Sequence, residues 1–292
     1  MSHSPIYVTK ADGTSEQFDT RKLDDSLTQV GTTEHVREHI VRHMAEKVHS
    51  GMSTEEIYRH SFEMLQKEDK QPVAARYSLK RALFALGPSG YPFERFLGEV
   101  LRAHGWHVQT GVAMTGRCAP HEVDVLAEKH GRRIGIEAKF HNTPGTVCDI
   151  KDALYVHARY EDLRRPRIGA PIHEGWLVTN TRFSRNAIRY GRCVGLGLIG
   201  WDYPHGKGLS VLIEHAGVHP LTCLTSLSEG EKRRLLEGNI VLCKTITSER
   251  HLLQEYGVSP SKATSVLEEA EQLCTPLRVR PMELPVSAPT HG

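Results

Sequence analysis

The chain has 292 residues, more than one ordinary domain holds, so two or three domains are expected. A formal net charge of +2 excludes a protein that grips nucleic acid through overall charge, and any such surface must be local. The six cysteines (Cys118, Cys148, Cys193, Cys223, Cys243, Cys274) lack Cys-x-x-Cys spacing and read as reduced thiols in a cytoplasmic protein, and no apolar run suits a signal peptide or a membrane span.

From the N-terminus, Ile6-Tyr7-Val8-Thr9-Lys10 alternates as a strand. Ala11-Asp12-Gly13 supplies a turn and Glu16-Gln17-Phe18 returns as partner, since Asp-Gly accepts the backbone that a tight hairpin demands. Asp19 or Thr20 can cap a helix carrying Leu23 and Leu27. Helical patterns follow over residues 35–50, 53–67 and 73–86, and Ser53-Thr54-Glu55-Glu56 opens the middle one as a capping box. His35-Val36-Arg37-Glu38-His39 spells an inverted zinc-protease motif, with His43 as a third imidazole. Val36, Ile40 and Met44 claim the core side of that helix, however, so the histidines share a wet face and zinc proteolysis is set aside.

Four of these pieces resemble the ATP-cone, a nucleotide-sensing module of ribonucleotide reductases and their transcriptional repressor. They are Val8-Thr9-Lys10-Ala11-Asp12-Gly13, Glu16-x-Phe18-Asp19-x-x-Lys22-Leu23, Ser53-Thr54-Glu55-Glu56-Ile57 and Ala74-Ala75-Arg76-Tyr77. The resemblance implies an ATP-cone over residues 5–88 that binds ATP or dATP as effector. Lys10 and Lys22 would meet phosphates, while Val8, Glu16 and Thr54 would line or position the nucleotide. The usual Lys-Arg-Asp-Gly stands here as Lys10-Ala11-Asp12-Gly13, one phosphate partner fewer. Binding would act on a homo-oligomer; a cone kept only for oligomer contacts is the alternative.

The next stretch orders as helix, three strands, helix, strand, helix, strand, which predicts an α/β sandwich with a mixed sheet over residues 89–205. Phe93, Phe96, Leu97, Val100 and Leu101 recur at helical spacing, and a second helix is expected over residues 147–163. Between them, His121-Glu122-Val123-Asp124-Val125-Leu126 and Ile134-Gly135-Ile136-Glu137-Ala138-Lys139-Phe140 flank the turn Lys129-His130-Gly131-Arg132. Period-two alternation sends Glu137 and Lys139 to one side, and a hairpin lets Asp124 join them. Two carboxylates and an ammonium at one spot suit a hard divalent cation, Mg²⁺ or Mn²⁺, with the lysine orienting a water. That is the chemistry of phosphodiester hydrolysis.

Gly90-Tyr91-x-Phe93-Glu94, Glu122-Val123-Asp124-Val125, Ile136-Glu137-Ala138-Lys139-Phe140 and Leu177-Val178-Thr179-Asn180-Thr181-x-Phe183-Ser184-x-x-Ala187 together resemble the Mrr-type branch of the PD-(D/E)XK nucleases. The resemblance implies Asp124 and Glu137 as metal ligands, Lys139 as the catalytic lysine and Glu94 as an accessory acid. Many relatives carry a Gln in the helix after the core; Val147-Cys148-Asp149-Ile150-Lys151-Asp152 has none.

Arg182, Arg185, Arg189 and Arg192 fall three or four apart, so they are expected to line one helix face that meets DNA phosphates, with Arg159, Arg164, Arg165 and Arg167 as a second cluster. Residues 206–274 read as a small helical C-terminal region, by default a structural cap, and residues 275–292 as a proline-rich disordered tail. The expected molecule is therefore an α/β multidomain protein: a hairpin-plus-helices ATP-cone, an α/β sandwich nuclease core and a helical C-terminal region. Its expected function is Mg²⁺-dependent DNA cleavage in restriction or defence, controlled by ATP or dATP. The alternatives are a nucleotide-responsive DNA-binding regulator or an oligomeric scaffold with a vestigial nuclease fold.

Overall fold

The computed structural model describes residues 5–68 and 71–275. The tail expected from residue 275 lies outside them beyond Thr275 itself. Strands β1 (Tyr7–Thr9) and β2 (Ser15–Gln17) pair antiparallel, with Val8 opposite Glu16. Their turn closes as Asp-Gly chemistry requires: Gly13 has φ +79°, and Asp12 Oδ1 accepts from the Thr14 amide at 3.0 Å. Asp19 caps α1 (Thr20–Gln29) by accepting from the Arg21 amide. After α2 (Glu34–Lys47), Ser53 and Glu56 form the expected reciprocal box at the start of α3 (Thr54–Glu68). Leu27, Ile40, Met44 and Leu65 are fully buried in the core that these helices share with β1.

The single helix expected over 73–86 is two, α4 (Gln71–Tyr77) and α5 (Leu79–Phe84). Ser78 breaks it by turning its hydroxyl back to the Ala75 carbonyl at 2.7 Å, a local competitor to helix continuation.

Next come α6 (Tyr91–Ala103), β3 (His107–Thr115), β4 (Pro120–Lys129) and β5 (Arg132–Lys139). The β4–β5 turn holds His130 and Gly131 at φ 52° and 74°, the two positive values of a two-residue hairpin. A short β6 (Val147–Cys148) precedes α7 (Ile150–Leu163), then β7 (Glu174–Thr179), β8 (Arg182–Phe183), α8 (Arg185–Val194) and β9 (Gly197–Ile199). The main sheet runs β3-β4-β5-β7-β9, antiparallel through β5 and parallel from β5 to β9, so it is the mixed sheet expected. The helix expected from Val147 starts three residues later. Val147 and Cys148 pair with β8, and Asp149 caps α7 in a box with Asp152.

Helices α7 and α8 cover one sheet face, where Val156, Tyr160, Leu163 and Ala187 bury against Leu126, Leu177 and Leu198. Helix α6 covers the other with Phe93, Phe96 and Leu97. That second core continues without a break into α9 (Leu209–Ala216), a 3₁₀ turn (Leu221–Cys223), α10 (Glu229–Glu237), α11 (Cys243–Ser248), α12 (His251–Glu255) and α13 (Pro260–Leu273). Leu212, Leu224, Ile246 and Val266 share it with Val125, Ile136 and Trp176, so the C-terminal helices cap the sheet-and-α6 layer. Among the described residues, no helix is long and apolar enough to cross a membrane.

Candidate active site

Strands β4 and β5 pair from Lys129–Arg132 to Val125–Ile136. Beyond that last pair, Asp124 and Glu137 stand across from each other, and the Ala138 amide donates to Asp124 Oδ2 at 2.8 Å. Strand alternation places Gly135, Glu137 and Lys139 toward α7. The tyrosine ring of α7 sets the spacing. A Cβ at Gly135 would lie 2.5 Å from Tyr160 Cε1, and one at Gly175 would lie 2.4 Å from Tyr160 Cδ2. Only glycine on both strands lets Tyr160 seat, and that brings α7 down onto β5.

Two α7 side chains then meet the Glu-x-Lys residues. Asp152 Oδ1 lies 3.1 Å from Lys139 Nζ. Arg159 Nη1 donates to Glu137 Oε2 and to the Glu122 carbonyl at 3.1 Å, while its Nη2 donates to the Tyr155 hydroxyl at 2.6 Å. Arg159, expected in the second basic cluster, turns into the cleft instead. The signal available was the polar series Asp152, Tyr155, Arg159 on one face of a helix that otherwise buries Ala153, Val156 and Tyr160.

The acids burden one another. Burial pushes Glu137 up to about 7, with Asp124 adding to it and Arg159 opposing. Burial also raises Asp124, against the Ala138 hydrogen bond and Arg159. Glu94, in the first turn of α6, is pushed up to about 7 by burial and then by Asp124, Glu122 and Glu137, so it belongs to the same field. Partial burial pulls Lys139 down, but its bond to Asp152 outweighs this and the net shift is upward. Asp124, Glu137, Lys139 and Glu94 are thus brought together.

An oxygen-only donor set whose members raise each other's proton affinity suits a hard cation such as Mg²⁺ or Mn²⁺ rather than zinc. Among the described residues, no group of three or more His, Cys, Asp or Glu is arranged to hold a metal ion. The fit therefore rests on the facing pair Asp124 and Glu137 with water completing the shell, a common arrangement for Mg²⁺.

The basic stripe needs one correction. Arg182 lies on β8, before the Ser184 cap of α8, and its guanidinium pairs with Asp12 at 2.5 Å. Arg185, Arg189 and Arg192 do share an exposed α8 face, beside Ile188 and Cys193. The second cluster is dispersed: Arg164 pairs with Glu161 and Arg167 donates to the Arg117 carbonyl.

At the N-terminal hairpin, Lys10 and Lys22 contact the two carboxylate oxygens of Glu16, one each. A bridge between Thr9 and Ser53 sets the start of α3, at Thr54, against β1. Val8 is 4 % exposed and belongs to the apolar core rather than to a ligand-facing surface.

Residues 87–202 match the family model described as restriction endonuclease, and residues 219–274 match the one described as AF1548-like, C-terminal. An uncharacterized protein of Archaeoglobus fulgidus is 36 % identical over 178 residues, covering 61 % of this chain and 99 % of the relative. The crystal structure of AF1548, a protein of unknown function, superposes with TM-score 0.53 at 35 % identity, covering 64 % of this chain and 98 % of that one. The restriction endonuclease MspJI, solved in complex with a 27-mer oligonucleotide, matches at 15 % identity and TM-score 0.32 over 66 % of this chain and 39 % of that chain, a likeness too low to carry an argument.

Proposed function

This chain belongs to the AF1548-like family, and we propose that it is a divalent-metal-dependent DNA endonuclease controlled by an adenine nucleotide. The observation that carries the reading is the opposition of Asp124 and Glu137 where β4 and β5 stop pairing, with Lys139 on the same side of β5. Asp124 and Glu137 would hold Mg²⁺ or Mn²⁺, which when bound supplies charge stabilisation to the phosphoryl oxygens. The Ala138 amide fixes the Asp124 carboxylate. Asp152 holds the Lys139 ammonium at the mouth of the cleft, where it can donate to an attacking water or to a phosphoryl oxygen. Glu94, its carboxyl pushed to about 7, can hold or release a proton near neutrality. Arg185, Arg189 and Arg192 would track the DNA backbone, since guanidinium forks match phosphate oxygens.

The nucleotide-sensing part is supported by Lys10 and Lys22 sharing Glu16, with Ser53, the residue before Thr54, bridged to Thr9 on the adjoining strand. ATP or dATP would draw both ammonium groups from Glu16 to its phosphates and alter the packing of a homo-oligomer, as an ATP-cone does. The natural setting is restriction or antiviral defence in the cytoplasm.

Plasmid cleavage with Mg²⁺, with and without ATP or dATP, tests the whole reading. Nicking or linearisation that needs the metal and changes with nucleotide is expected. An inert protein under all conditions would refute the nuclease, and metal-dependent cleavage blind to nucleotide would refute the sensor.

A further inference from the structure

Arg159 is better connected than a strut requires. Its two terminal nitrogens reach a carboxylate, a backbone carbonyl and a phenol, on Glu137, Glu122 and Tyr155. The two ends of this contact differ in setting. The side chains of Arg159 and Glu137 are 14 % and 18 % exposed, whereas Tyr155 is 60 % exposed. The guanidinium also sits 4.8 Å from the Tyr155 ring, so one α7 turn holds it both by stacking and by hydrogen bond. A cation so placed neutralises part of the acid cluster, yet it occupies the carboxylate that a divalent cation would need.

We propose that Arg159 is a catalytic residue and the resident counter-cation of the cleft. It holds Glu137 in the metal-free protein, gives up that carboxylate when a divalent cation is bound, and then turns its planar fork, steadied by Tyr155, to a non-bridging oxygen of the scissile phosphate. This rests on the nuclease reading and adds to it an ordered exchange of partners. The exchange follows from charge: two cations cannot share Glu137 at short range without repulsion, and a phosphodiester is the one anion the reaction brings in. A guanidinium suits that transfer, because it stays charged throughout and bonds carboxylate and phosphate with the same fork geometry.

The consequence is a pair of effects in opposite directions. In the intact chain at one fixed pH above neutrality, titration calorimetry with Mn²⁺ alone should show Arg159→Gln binding the metal about tenfold more tightly than wild type, the effect of removing one unit charge from a few ångströms. At saturating Mn²⁺ the same variant should raise KM for a DNA duplex about tenfold, through loss of a charged hydrogen bond to phosphate. A merely structural arginine would weaken both. Equal or weaker Mn²⁺ binding by Arg159→Gln, or an unchanged KM, overturns the proposal.

Should Arg159→Gln fail to melt cooperatively, Arg159→Lys and Tyr155→Phe carry the test. Arg159→Lys keeps the charge and loses the fork, and Tyr155→Phe loses only the hydroxyl that accepts from Arg159. Both should keep Mn²⁺ affinity within about twofold of wild type while raising KM. An unchanged KM in both, or a loss of Mn²⁺ affinity in either, overturns it. A wild type that neither takes up Mn²⁺ nor cleaves DNA overturns the nuclease reading and this inference with it. A wild type that does both, beside Arg159 variants with weakened Mn²⁺ binding, overturns this inference alone.

Discussion

Asp12 and Arg182 join the two ends of the machine: the hairpin-turn carboxylate accepts from the β8 guanidinium at 2.5 Å across 170 residues of sequence. The same turn packs on the loop that follows Lys139, where a Cβ at Gly145 would lie 2.9 Å from the Asp12 amide nitrogen. Lys10 is therefore two residues from a contact with β8, and it shares Glu16 with Lys22, so a displacement at Lys10 reaches that contact through the turn. Asp12→Asn should leave the fold intact, because its partner Arg182 is half exposed and such surface pairs add little stability. It should speed amide exchange over residues 141–146 and blunt the response of cleavage to ATP. Unaltered exchange and an unaltered ATP response would show that the contact transmits nothing.

Glu137→Gln and Lys139→Ala should each lower cleavage by at least about 10²-fold, the usual effect of removing a group that stabilises transition-state charge. Neither side chain belongs to an apolar cluster, Lys139 is 42 % exposed, and the glutamine keeps the volume of Glu137, so cooperative melting should persist. Gel assays of purified, folded variants decide it. Residual cleavage near the wild-type rate in either one moves the active site elsewhere.

Asp124, Glu137 and Lys139 were legible in the sequence because strand periodicity is local, and a His130-Gly131 turn fixes which residues face each other. Arg159 was not legible. Its direction depends on Tyr160 seating on Gly135 and Gly175, glycines contributed by β5 and β7, with α7 between them in sequence. Arg182 was misassigned because arginine spacing ran straight through Ser184, whose hydroxyl accepts from the Ala187 amide and starts the helix after Arg182. Within the helical C-terminal region, α9 and α11 were not legible one by one, because eight and six residues are too few for apolar spacing to define a period.

Arg185 and Arg189 are exposed on α8 with no role in the apolar core. Replacing both with Ala should weaken binding to all duplex sequences alike and reduce the slope of log affinity against log salt by about 2, one counterion per lost phosphate contact. Arg182→Ala should change that slope less, since its charge is already committed to Asp12. Anisotropy titrations across a salt series measure both. A sequence-selective loss from the double variant would contradict a backbone-tracking role.

The C-terminal helices are tied down by a buried acid. Glu269 is fully buried and accepts from the amides of Thr225 and Ser226 at 2.7 and 2.9 Å and from both hydroxyls. Glu269→Ala would strand four donors, and we expect it to cost about 3 kcal/mol or more. Chemical denaturation reads this directly. A loss below about 1 kcal/mol would mean that water replaces the carboxylate without difficulty.

Glu94 offers the sharpest link between site and stability. Its carboxyl has a reference value of 4.5 and is held at about 7 by burial and then by Asp124, Glu122 and Glu137. The folded protein therefore keeps a proton that the unfolded chain has already released between those values. Stability contributed by that proton is complete below 4.5 and is lost as pH rises through 7, because the unfolded state then binds fewer protons than the folded one. Glu94→Gln carries no proton to lose. In metal-free buffer above pH 7 it should be more stable than wild type by on the order of 1 kcal/mol, after discounting for solvent screening, and the gain should vanish below pH 4.5. Millimolar Mg²⁺ should shrink the gain too, since a bound cation relieves the same repulsion. Thermal melts of both proteins across pH, with and without Mg²⁺, provide the measurement. If Glu94→Gln were less stable than wild type at alkaline pH, Glu94 would be a stabilising partner of a cation on this chain rather than a member of a strained acid cluster.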